Sequence, residues 1–417
     1  MEPKRIILWG DGKVGKAAVY IYEHYKPLNI TVLGIADNDY TKKNVFSPEE
    51  VADLYRRDLI DGVVPTVSEK YEREIVHQLN KLGLPVFSMP GHDTKFVSAS
   101  DVAFCSEKLY ERFTLYHISD CYIGIDPTHS MAWMYTKTYK LSNSFNYPSL
   151  VDTIKPCIPL LTFMDCENTS QIENINDEIC VLYDYWGTNY WHFTFEVFPK
   201  ILLLESFGYH GKYLLGYTKF SEELTSLLGI PGNRIVWIQE DEKGRLYKGM
   251  HVLCTTPLQG DFSCALDTLC AWSRKISDDI YNERSNDFPK RIYISRQGTR
   301  KLVGMEAVLA KYGFHTVVPE KLSVREQICF FAAADIVISP HGAGSTNCVY
   351  MREGTSFIEI FPPKYLNPCC LGAFRRLGLR YQMLVGSYTK AVSEDSYDSA
   401  DYTVDASLLE AAIKTFL

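Results

Sequence analysis

The most constraining feature of the sequence is a glycine loop between two apolar runs, late in the chain. Residues 335–361 read DIVISPHGAGSTNCVYMREGTSFIEIF. The β-branched run that opens this segment is typical of a buried strand, and a second such run closes it. Between them, Ser345 or Thr346 suits the N-cap of a helix that ends near Arg352. The pattern predicts a βαβ unit, and therefore a parallel sheet of the α/β class.

The loop of this unit has the composition of an anion site. It reads Pro340-His341-Gly342-Ala343-Gly344, and ligands of open α/β sheets bind beyond the carboxyl ends of the strands. Two glycines allow the backbone to approach a ligand closely. Backbone N–H groups and the positive end of the helix dipole then favour a diphosphate. The alternative is a tight turn in which the glycines serve only the geometry of the chain.

A second glycine loop lies close to the start of the sequence. A strand is followed by Gly10, Gly12 and Gly15 in the spacing G-x-G-x-x-G, then by a helix near 16–25, and Asp37 ends the next strand. This order is the fingerprint of a dinucleotide-binding fold, in which the acidic residue binds a ribose hydroxyl. The alternative is a Rossmann-like module that keeps its glycines for packing and binds no ligand.

The alternation of strands and helices divides the chain into three predicted domains. We expect a small Rossmann-like domain over residues 1–100, a second α/β domain over 101–285 and a third over 286–417. The third shows the clearest alternation. No period is evident in residues 101–180, and we expect that stretch to be helical and irregular.

One polar pair marks the middle domain. If the surrounding residues are helical, His192 and Glu196 lie four residues apart on one face. There they suit a base and its orienting partner. The alternative is a core histidine beside a surface carboxylate. A metal site would need a third ligand, and the nearby sequence offers none.

Charged residues also mark the strands of the last domain. Arg296 and Arg300 follow its first strand, at an end that should open on the same crevice as His341. Guanidinium groups bind phosphate oxygens in a bidentate, charge-assisted way, although two solvated loop arginines would fit the same sequence. Glu359 lies among apolar residues, and a buried carboxylate needs a partner. A ribose diol or a structural arginine would serve.

Composition excludes several classes of protein. The net charge is −8, with acidic and basic residues interspersed, which argues against a nucleic-acid partner. The 12 cysteines include no C-x-x-C pair, which favours reduced thiols. No apolar run approaches the roughly 18 residues of a membrane helix, and the first residues do not have the pattern of a signal peptide. We therefore expect a cytoplasmic protein, with peripheral attachment to a membrane as the closest contact.

In combination, these motifs resemble glycosyltransferase family 61. The resemblance covers roughly residues 110–385. It rests on Asn189, His192-Phe193, Glu196 and Pro199, on Ile294-Ser295-Arg296 with Arg300, on Glu320, Leu322-Ser323 and Glu326-Gln327, on residues 341–347, and on Ile358-Glu359-Ile360. It implies a GT-B architecture, with two Rossmann-like halves that face each other across a cleft. Residues 101–285 would form the acceptor side and residues 286–417 the donor side. It also implies inversion at the anomeric carbon, without an essential metal or other cofactor.

The resemblance assigns a role to each candidate residue. The expected donor ligands are Arg296, Arg300, Gln327, His341, Gly342, Ala343, Gly344, Ser345, Thr346, Asn347 and Glu359. The arginines and the loop would hold the diphosphate, and Glu359 and Gln327 would lie near the nucleoside. Glu196 is the expected base, with His192 orienting it or sharing the role, and the reverse assignment stays open.

The same resemblance implies the partners. The donor is a nucleotide sugar, which we expect to be UDP-linked, since family donors include UDP-linked GlcNAc, xylose and arabinose. The acceptor is a glycan or a lipid-linked glycan, in the synthesis of a capsule or another surface polysaccharide.

Two other functions stay open. One is an NAD-dependent oxidoreductase or epimerase that uses the loop at 10–15 and Asp37. Such an enzyme would need a catalytic Tyr-x-x-x-Lys, and the tyrosines and lysines at 135–140 lack that spacing. The other is a non-catalytic subunit that binds a nucleotide sugar and transfers nothing.

Overall fold

The structure of the chain is a computed structural model that describes residues 4–12, 15, 18–19, 30–42, 44–67, 69–87, 95–98, 103, 105–110, 113–125, 131–136, 139–142, 172–184, 186–239, 245–256, 258, 263–284, 287–392, 397 and 399–417. Strands and helices alternate within these residues, which confirms the predicted α/β class. Most of the helix predicted at 16–25 lies outside the described residues.

The first part of the chain forms a small parallel sheet. Its described strands are β1 (Lys4–Trp9), β2 (Ile30–Ala36), β3 (Val45–Phe46) and β4 (Gly62–Pro65), in the order β3-β2-β1-β4. Helices α1 (Pro48–Arg56) and α2 (Glu69–Lys81) follow β3 and β4. Ile7, Val63 and Leu79 are among the residues of their common core. The parallel pairing agrees with the alternation predicted for residues 1–100.

The middle of the chain forms a mixed sheet. Its ten described strands are β5 (Lys95–Ser98), β6 (Cys105–Tyr110), β7 (Phe113–Ile125), β8 (Ala132–Tyr135), β9 (Tyr139–Ser142), β10 (Ile172–Ile175), β11 (Ile179–Val181), β12 (Lys212–Gly216), β13 (Ile235–Ile238) and β14 (Leu246–Thr255). The helical expectation for residues 101–180 is therefore wrong for the described part. The long strand β7 pairs antiparallel with β14, more than a hundred residues further along the chain, and local sequence periodicity cannot show such a distant partner.

The last part of the chain forms a parallel sheet. Its strands in residues 287–392 are β15 (Arg291–Ile294), β16 (His315–Val317), β17 (Ile336–Pro340), β18 (Ser356–Phe361) and β19 (Arg380–Val385), in the order β16-β15-β17-β18-β19. A short ladder of β20 (Ser387–Tyr388) and β21 (Tyr402–Thr403) follows. Strands β17 and β18 are buried along their whole length, and Ile338, Ile358 and Ile360 are completely buried.

The remaining helices lie in the second half of the chain. They are α3 (Tyr190–His192), a π-helical segment (Phe193–Val197), α4 (Phe198–Ser206), α5 (Lys219–Leu227), α6 (Ser263–Arg284), α7 (Glu306–Lys311), α8 (Val324–Ala333), α9 (Leu371–Leu377), α10 (Ala406–Phe416) and 3₁₀ helices at Gly232–Arg234, Pro319–Lys321 and Ala343–Tyr350. In the described part of the chain, no helix combines the length and apolarity needed to cross a membrane.

The chain divides into two compact units whose ranges interleave. Unit 1 comprises Met1–Gly187, His210–Tyr217 and Pro231–Pro257, and unit 2 comprises Thr188–Tyr209, Thr218–Ile230 and Leu258–Leu417. The helical segment with His192 and Glu196 thus belongs to the same unit as the C-terminal sheet. The three domains predicted at 1–100, 101–285 and 286–417, and the GT-B pairing of two halves, stay predictions.

The start of α8 allows a direct test of one sequence motif. Ser323 and Glu326 form a capping box, in which the Ser323 hydroxyl accepts a hydrogen bond from the Glu326 backbone N–H at 3.2 Å. We expect Ser323→Ala to lower the free energy of unfolding by about 1 kcal/mol, because a helix N–H loses its acceptor. Chemical denaturation would measure the change. Ser226→Ala, at an exposed site inside α5, is the control and should cause no loss. Equal stability of Ser323→Ala and the wild type would contradict the capping role.

Candidate functional site

The candidate site lies at the carboxyl edge of the C-terminal sheet. From β15 the chain passes to β16 on one side and then crosses to β17 on the other, so strand order reverses between β15 and β17. Ligands of open α/β sheets bind at such a switch point. The loop after β15 carries Arg296 and Arg300, and the loop after β17 carries His341 and Gly342. The two loops meet, because Nη1 of Arg296 donates a hydrogen bond to the His341 carbonyl at 3.2 Å.

Two cations lie side by side in this crevice. Burial lowers the pKa of the Arg296 guanidinium, and the positive charge of Arg300 lowers it further. Among the described residues, neither guanidinium forms an ion pair, and Nε of Arg300 is buried without a hydrogen-bond partner. Paired positive charges in a partly desolvated position favour a bound anion. The diphosphate site expected here stays a prediction.

Gly342 makes this arrangement possible. Its φ of 152° lies in the region that side-chain-bearing residues avoid, and a Cβ there would lie only 1.7 Å from Nη1 of Arg296. The glycine therefore lets the guanidinium lie directly against the loop backbone. Gly344 has a milder constraint, since its Cβ would lie 3.1 Å from Cγ2 of Ile294 in β15.

Tyr365 is a residue of this site that the sequence interpretation missed. It lies in the loop after β18, where the guanidinium of Arg300 sits 4.6 Å from the centre of its ring. The same ring lies 5.5 Å from the ring of His341. Tyr365 thus touches a residue from each of the two loops. An aromatic residue just beyond the carboxyl end of a predicted parallel strand was the available signal.

Buried hydrogen bonds hold His341, the first residue of the loop after β17. Nδ1 of His341 lies 2.8 Å from Oε1 of Glu359, and the hydroxyl of Tyr381 donates to Oε2 of the same carboxylate at 3.0 Å. His341 also stacks on Phe361. Burial, followed by the charge of Glu359, raises the pKa of Tyr381 well above its ordinary value, so that its hydroxyl remains a donor. The partner that the sequence required for Glu359 is this His–Tyr pair rather than an arginine.

The helix after the loop differs from the prediction. Residues Ala343–Tyr350 form a 3₁₀ helix that begins after Gly342, so the expected α-helix with Ser345 or Thr346 as N-cap is wrong. The hydroxyl of Ser345 instead lies 3.0 Å from that of Ser339, below the loop. The hydroxyl of Thr346 is completely buried and makes no hydrogen bond.

Asn347 and Gln327 contact each other rather than the crevice arginines. Nδ2 of Asn347 donates to Oε1 of Gln327 at 2.8 Å, and Oδ1 of Asn347 accepts from the hydroxyl of Tyr190 at 2.8 Å. Tyr190 was also missed, although it lies only two residues before His192. The expected roles of Gln327 and Glu359 near a nucleoside stay predictions.

His192 and Glu196 form the predicted pair. Nδ1 of His192 lies 2.7 Å from Oε2 of Glu196, and the carboxylate side chain is only 3% exposed against 15% for the imidazole. The backbone between them is π-helical, over Phe193–Val197. Such short π-helical turns are costly and occur often at functional sites. The pairing makes an imidazole with an oriented ring, as general bases require.

The first glycine loop has a more structural character. A Cβ on Gly15 would lie 1.7 Å from the Gly10 carbonyl oxygen, so this glycine is needed for packing. Gly12 has no atom within 4 Å of the equivalent position. Asp37 accepts hydrogen bonds from the backbone N–H groups of Asp11 and Asp39 at 2.8 and 2.9 Å. Ligand binding by Gly10, Gly12, Gly15 and Asp37 stays a prediction.

No group of three or more His, Cys, Asp or Glu side chains in the described ranges is arranged to hold a metal ion. The expectation that no metal is required stays a prediction.

The role of Asp37 can be tested through the pH dependence of stability. Burial raises its pKa, but the two N–H donors and Lys42 outweigh that effect and leave the pKa below its ordinary value. A carboxylate of this kind stabilises the fold above the unfolded pKa of about 3.9, and the stabilisation disappears as pH falls through the lower folded pKa. We expect Asp37→Asn to cost about 1.5 kcal/mol at pH 7, as for a hydrogen-bonded charge that is partly exposed.

Chemical denaturation between pH 7 and pH 3 would measure this difference. The difference between the two proteins should become smaller as the pH falls below the unfolded pKa, because the wild type then loses the stabilisation from Asp37. Asp39→Asn is the control, because the Asp39 side chain is exposed. A stability difference for Asp37→Asn that does not change with pH would contradict the assignment.

Comparison with known proteins identifies the segment that carries the site. Residues 190–358 match the family model described as Glycosyltransferase 61. Curated proteins of Oryza sativa subsp. japonica are similar to part of the chain. The alpha-1,3-arabinosyltransferase XAT2 is 30% identical over 119 residues, which cover 26% of this chain and 20% of that protein. The beta-1,2-xylosyltransferase XAX1 is 31% identical over 93 residues, 21% of this chain and 16% of that protein.

A third relative, the alpha-1,3-arabinosyltransferase XAT3, is 29% identical over 124 residues, with 26% of this chain and 20% of that protein covered. The chain thus spans 16 to 20% of the length of these relatives. The candidate residues from His192 to Asn347 all lie within the matched segment, and Glu359 lies one residue beyond it. Residues 190–358 of this chain therefore belong to glycosyltransferase family 61.

Proposed function

We propose that this chain is an inverting glycosyltransferase that needs no metal ion. It moves a sugar from a nucleotide sugar, UDP-linked, to a hydroxyl of a glycan or lipid-linked glycan. The observation that carries this proposal is the pair of arginines against the Gly342 backbone, at the switch point of a sheet within the family 61 segment. As part of the same proposal, the enzyme acts in the cytoplasm, at or near the inner face of the membrane, in the synthesis of a capsule or another surface polysaccharide.

The arginines suit the leaving group of such a reaction. When the sugar is transferred, the bond from its anomeric carbon to the phosphate oxygen breaks, and the nucleoside diphosphate keeps the electron pair. The negative charge that develops there must meet fixed positive groups. Among the described residues, Arg296 and Arg300 form no ion pair, so their charge is available to the diphosphate.

The imidazole of His192 suits the base. In the proposed mechanism Glu196 is the ionised partner and accepts a hydrogen bond from Nδ1–H of His192, so the lone pair of the neutral ring is on Nε2. The acceptor hydroxyl gives its proton to Nε2 while its oxygen forms the bond to the anomeric carbon from the face opposite the leaving group. Glu196 then stabilises the imidazolium. This assignment reverses the roles expected from the sequence, because the carboxylate is the more deeply buried of the two.

The named relatives guide the choice of donor. They are arabinosyl- and xylosyltransferases, so UDP-arabinose and UDP-xylose are the first donors to test, with UDP-GlcNAc next. A non-catalytic binding subunit would bind one of these donors and transfer nothing. An NAD-dependent enzyme would instead bind NAD through the first glycine loop.

The diphosphate site has a direct test. We expect Arg296→Ala to weaken binding of the nucleotide sugar by about 1.5–3 kcal/mol, the range for a hydrogen bond to a charged group. Gly342→Ala should have a similar effect, because its Cβ would occupy the position of Nη1 of Arg296. Isothermal titration calorimetry with UDP, UDP-xylose and UDP-arabinose, with and without EDTA, would measure both.

Gly298→Ala is the matched control. This glycine lies in the same loop as Arg296, and a Cβ there would have no neighbour within 4 Å. It should bind the donor as the wild type does. Unchanged affinity in Arg296→Ala, or affinity that requires the metal removed by EDTA, would overturn the corresponding part of the proposal.

The base assignment is tested by activity. We expect His192→Ala to lower kcat by about 10²–10⁴, the usual contribution of a general base, with donor affinity retained. Glu196→Gln keeps an oxygen that can accept from Nδ1 but loses the charge, so its loss should be smaller. The measurement is release of nucleoside diphosphate in the presence of acceptor. A large loss in Glu196→Gln with near-normal activity in His192→Ala would make Glu196 the base.

A further inference from the structure

Within unit 2, a network of hydrogen bonds joins the base segment (Tyr190–Val197) to the donor loop (Gly342–Asn347). The Tyr190 hydroxyl donates to Oδ1 of Asn347 at 2.8 Å, and Nδ2 of Asn347 donates to Oε1 of Gln327 at 2.8 Å. The same Nδ2 also lies 3.3 Å from the carbonyl of Gly344. The amide of Gln327 ends the network, with Nε2 3.4 Å from the carbonyl of Leu322. Residues distant in sequence by 157 positions are thus joined by a direct contact.

The hydrogen bonds of this network can run in only one direction from donor to acceptor. Burial raises the pKa of the Tyr190 hydroxyl well above its ordinary value, so the hydroxyl keeps its proton and donates. The amide of Asn347 must therefore turn its oxygen to Tyr190, which leaves its nitrogen for Gln327 and Gly344. The hydrogen bonds of Tyr190 and Asn347 favour one rotamer for each of these two side chains, and networks of this kind stiffen the segments that they join.

The base segment needs such support. Tyr190 and His192 lie in the first turn of a helical run that continues without a break through the π-helical segment into α4. Helix ends fray unless other contacts hold them. The Tyr190 ring packs edge-on against Phe220 at 5.2 Å, and its hydroxyl donates to Asn347. These contacts hold the end of the helix that carries His192.

We propose that Tyr190 is a positioning residue that fixes His192 relative to the Gly342–Asn347 loop, through Asn347 and Gln327. On this interpretation, Asn347 and Gln327 serve the network, and their effect on the nucleoside is indirect. The segment that would contact the donor thereby also holds the helical turn that carries the base. The inference rests on the proposed function, because it gives His192 the role of base. A displacement of about 1 Å between reacting groups costs on the order of 10²-fold in rate, so the loss of one such contact should be visible in turnover.

The test is Tyr190→Phe in the full chain. This change keeps the ring against Phe220 and removes only the hydroxyl. We expect kcat to fall by at least about tenfold, while the dissociation constant for UDP changes by less than about threefold. Tyr312→Phe is the matched control: its hydroxyl donates to Glu410 at 3.2 Å, away from the loop. That variant should keep full turnover.

Measuring Tyr190→Phe in the His192→Ala variant distinguishes a positioning effect on His192 from a general loss of stability. If Tyr190 acts through His192, the effect of Tyr190→Phe on kcat should vanish when His192 is already alanine, whereas a general loss of stability would persist there. Asn347→Ala is the second variant of the network, and its loss should not add to that of Tyr190→Phe. Additive losses in the His192→Ala background would overturn the inference.

The outcomes distinguish the inference from the function beneath it. If the wild type transfers sugar and Tyr190→Phe matches it in kcat, the positioning role is wrong and the glycosyltransferase assignment stands. If the wild type binds donor but transfers nothing to any acceptor tested, the proposed function fails, and the inference fails with it. A fall in kcat with retained UDP affinity, absent in the His192→Ala background, supports both.

Discussion

The guanidinium of Arg296 against the carbonyl of His341 is the contact on which the rest of the site depends. It joins the loops of β15 and β17, which leave adjacent parallel strands at the point where strand order reverses. A glycine at position 342 is required for it, since any side chain there would displace the guanidinium. The contact also brings a second cation, Arg300, into the same partly buried place. Like charges held together without a counterion destabilise each other, and a bound diphosphate would offset that cost.

Two polar groups hold this loop from different directions. The carboxylate of Glu359, in strand β18, connects His341 to Tyr381, and the amide of Asn347 connects the segment after Gly342 to Tyr190. Both groups are buried, and the hydrogen bonds within each match donor to acceptor. Buried polar networks of this kind set a unique geometry at some cost in stability. In an active site that geometry is useful, because donors that are already in place do not need to reorganise when charge develops.

The sequence predicted the elements of the C-terminal sheet well, because their signals are local. The β-branched strands before Pro340 and after Gly354, and the arginines beyond the first strand, could all be located from a few residues each. The predictions from sequence were wrong where the structure of a segment depends on contacts with residues that are distant in the sequence. Strand β7 pairs with β14, and the hydrogen-bond partner of Glu359 is His341, in the loop after β17, rather than an arginine. Tyr190 and Tyr365 were missed for the same reason, because their roles depend on contacts with residues that are distant in the sequence. The 3₁₀ helix after Gly342 depends on packing that the N-cap residues Ser345 and Thr346 did not reveal.

The interleaving of the two units has a consequence for synthesis on the ribosome. The turn with Tyr190 leaves the ribosome 157 residues before Asn347, a delay on the order of ten to thirty seconds at usual rates of elongation. During that interval the strands that complete unit 1 are made, while the first segment of unit 2 waits. That segment is rich in buried aromatic residues, and Phe198 meets the ring of Trp272 only after many more residues have emerged. During synthesis this apolar stretch therefore lacks its packing partners until residues near Trp272 have emerged.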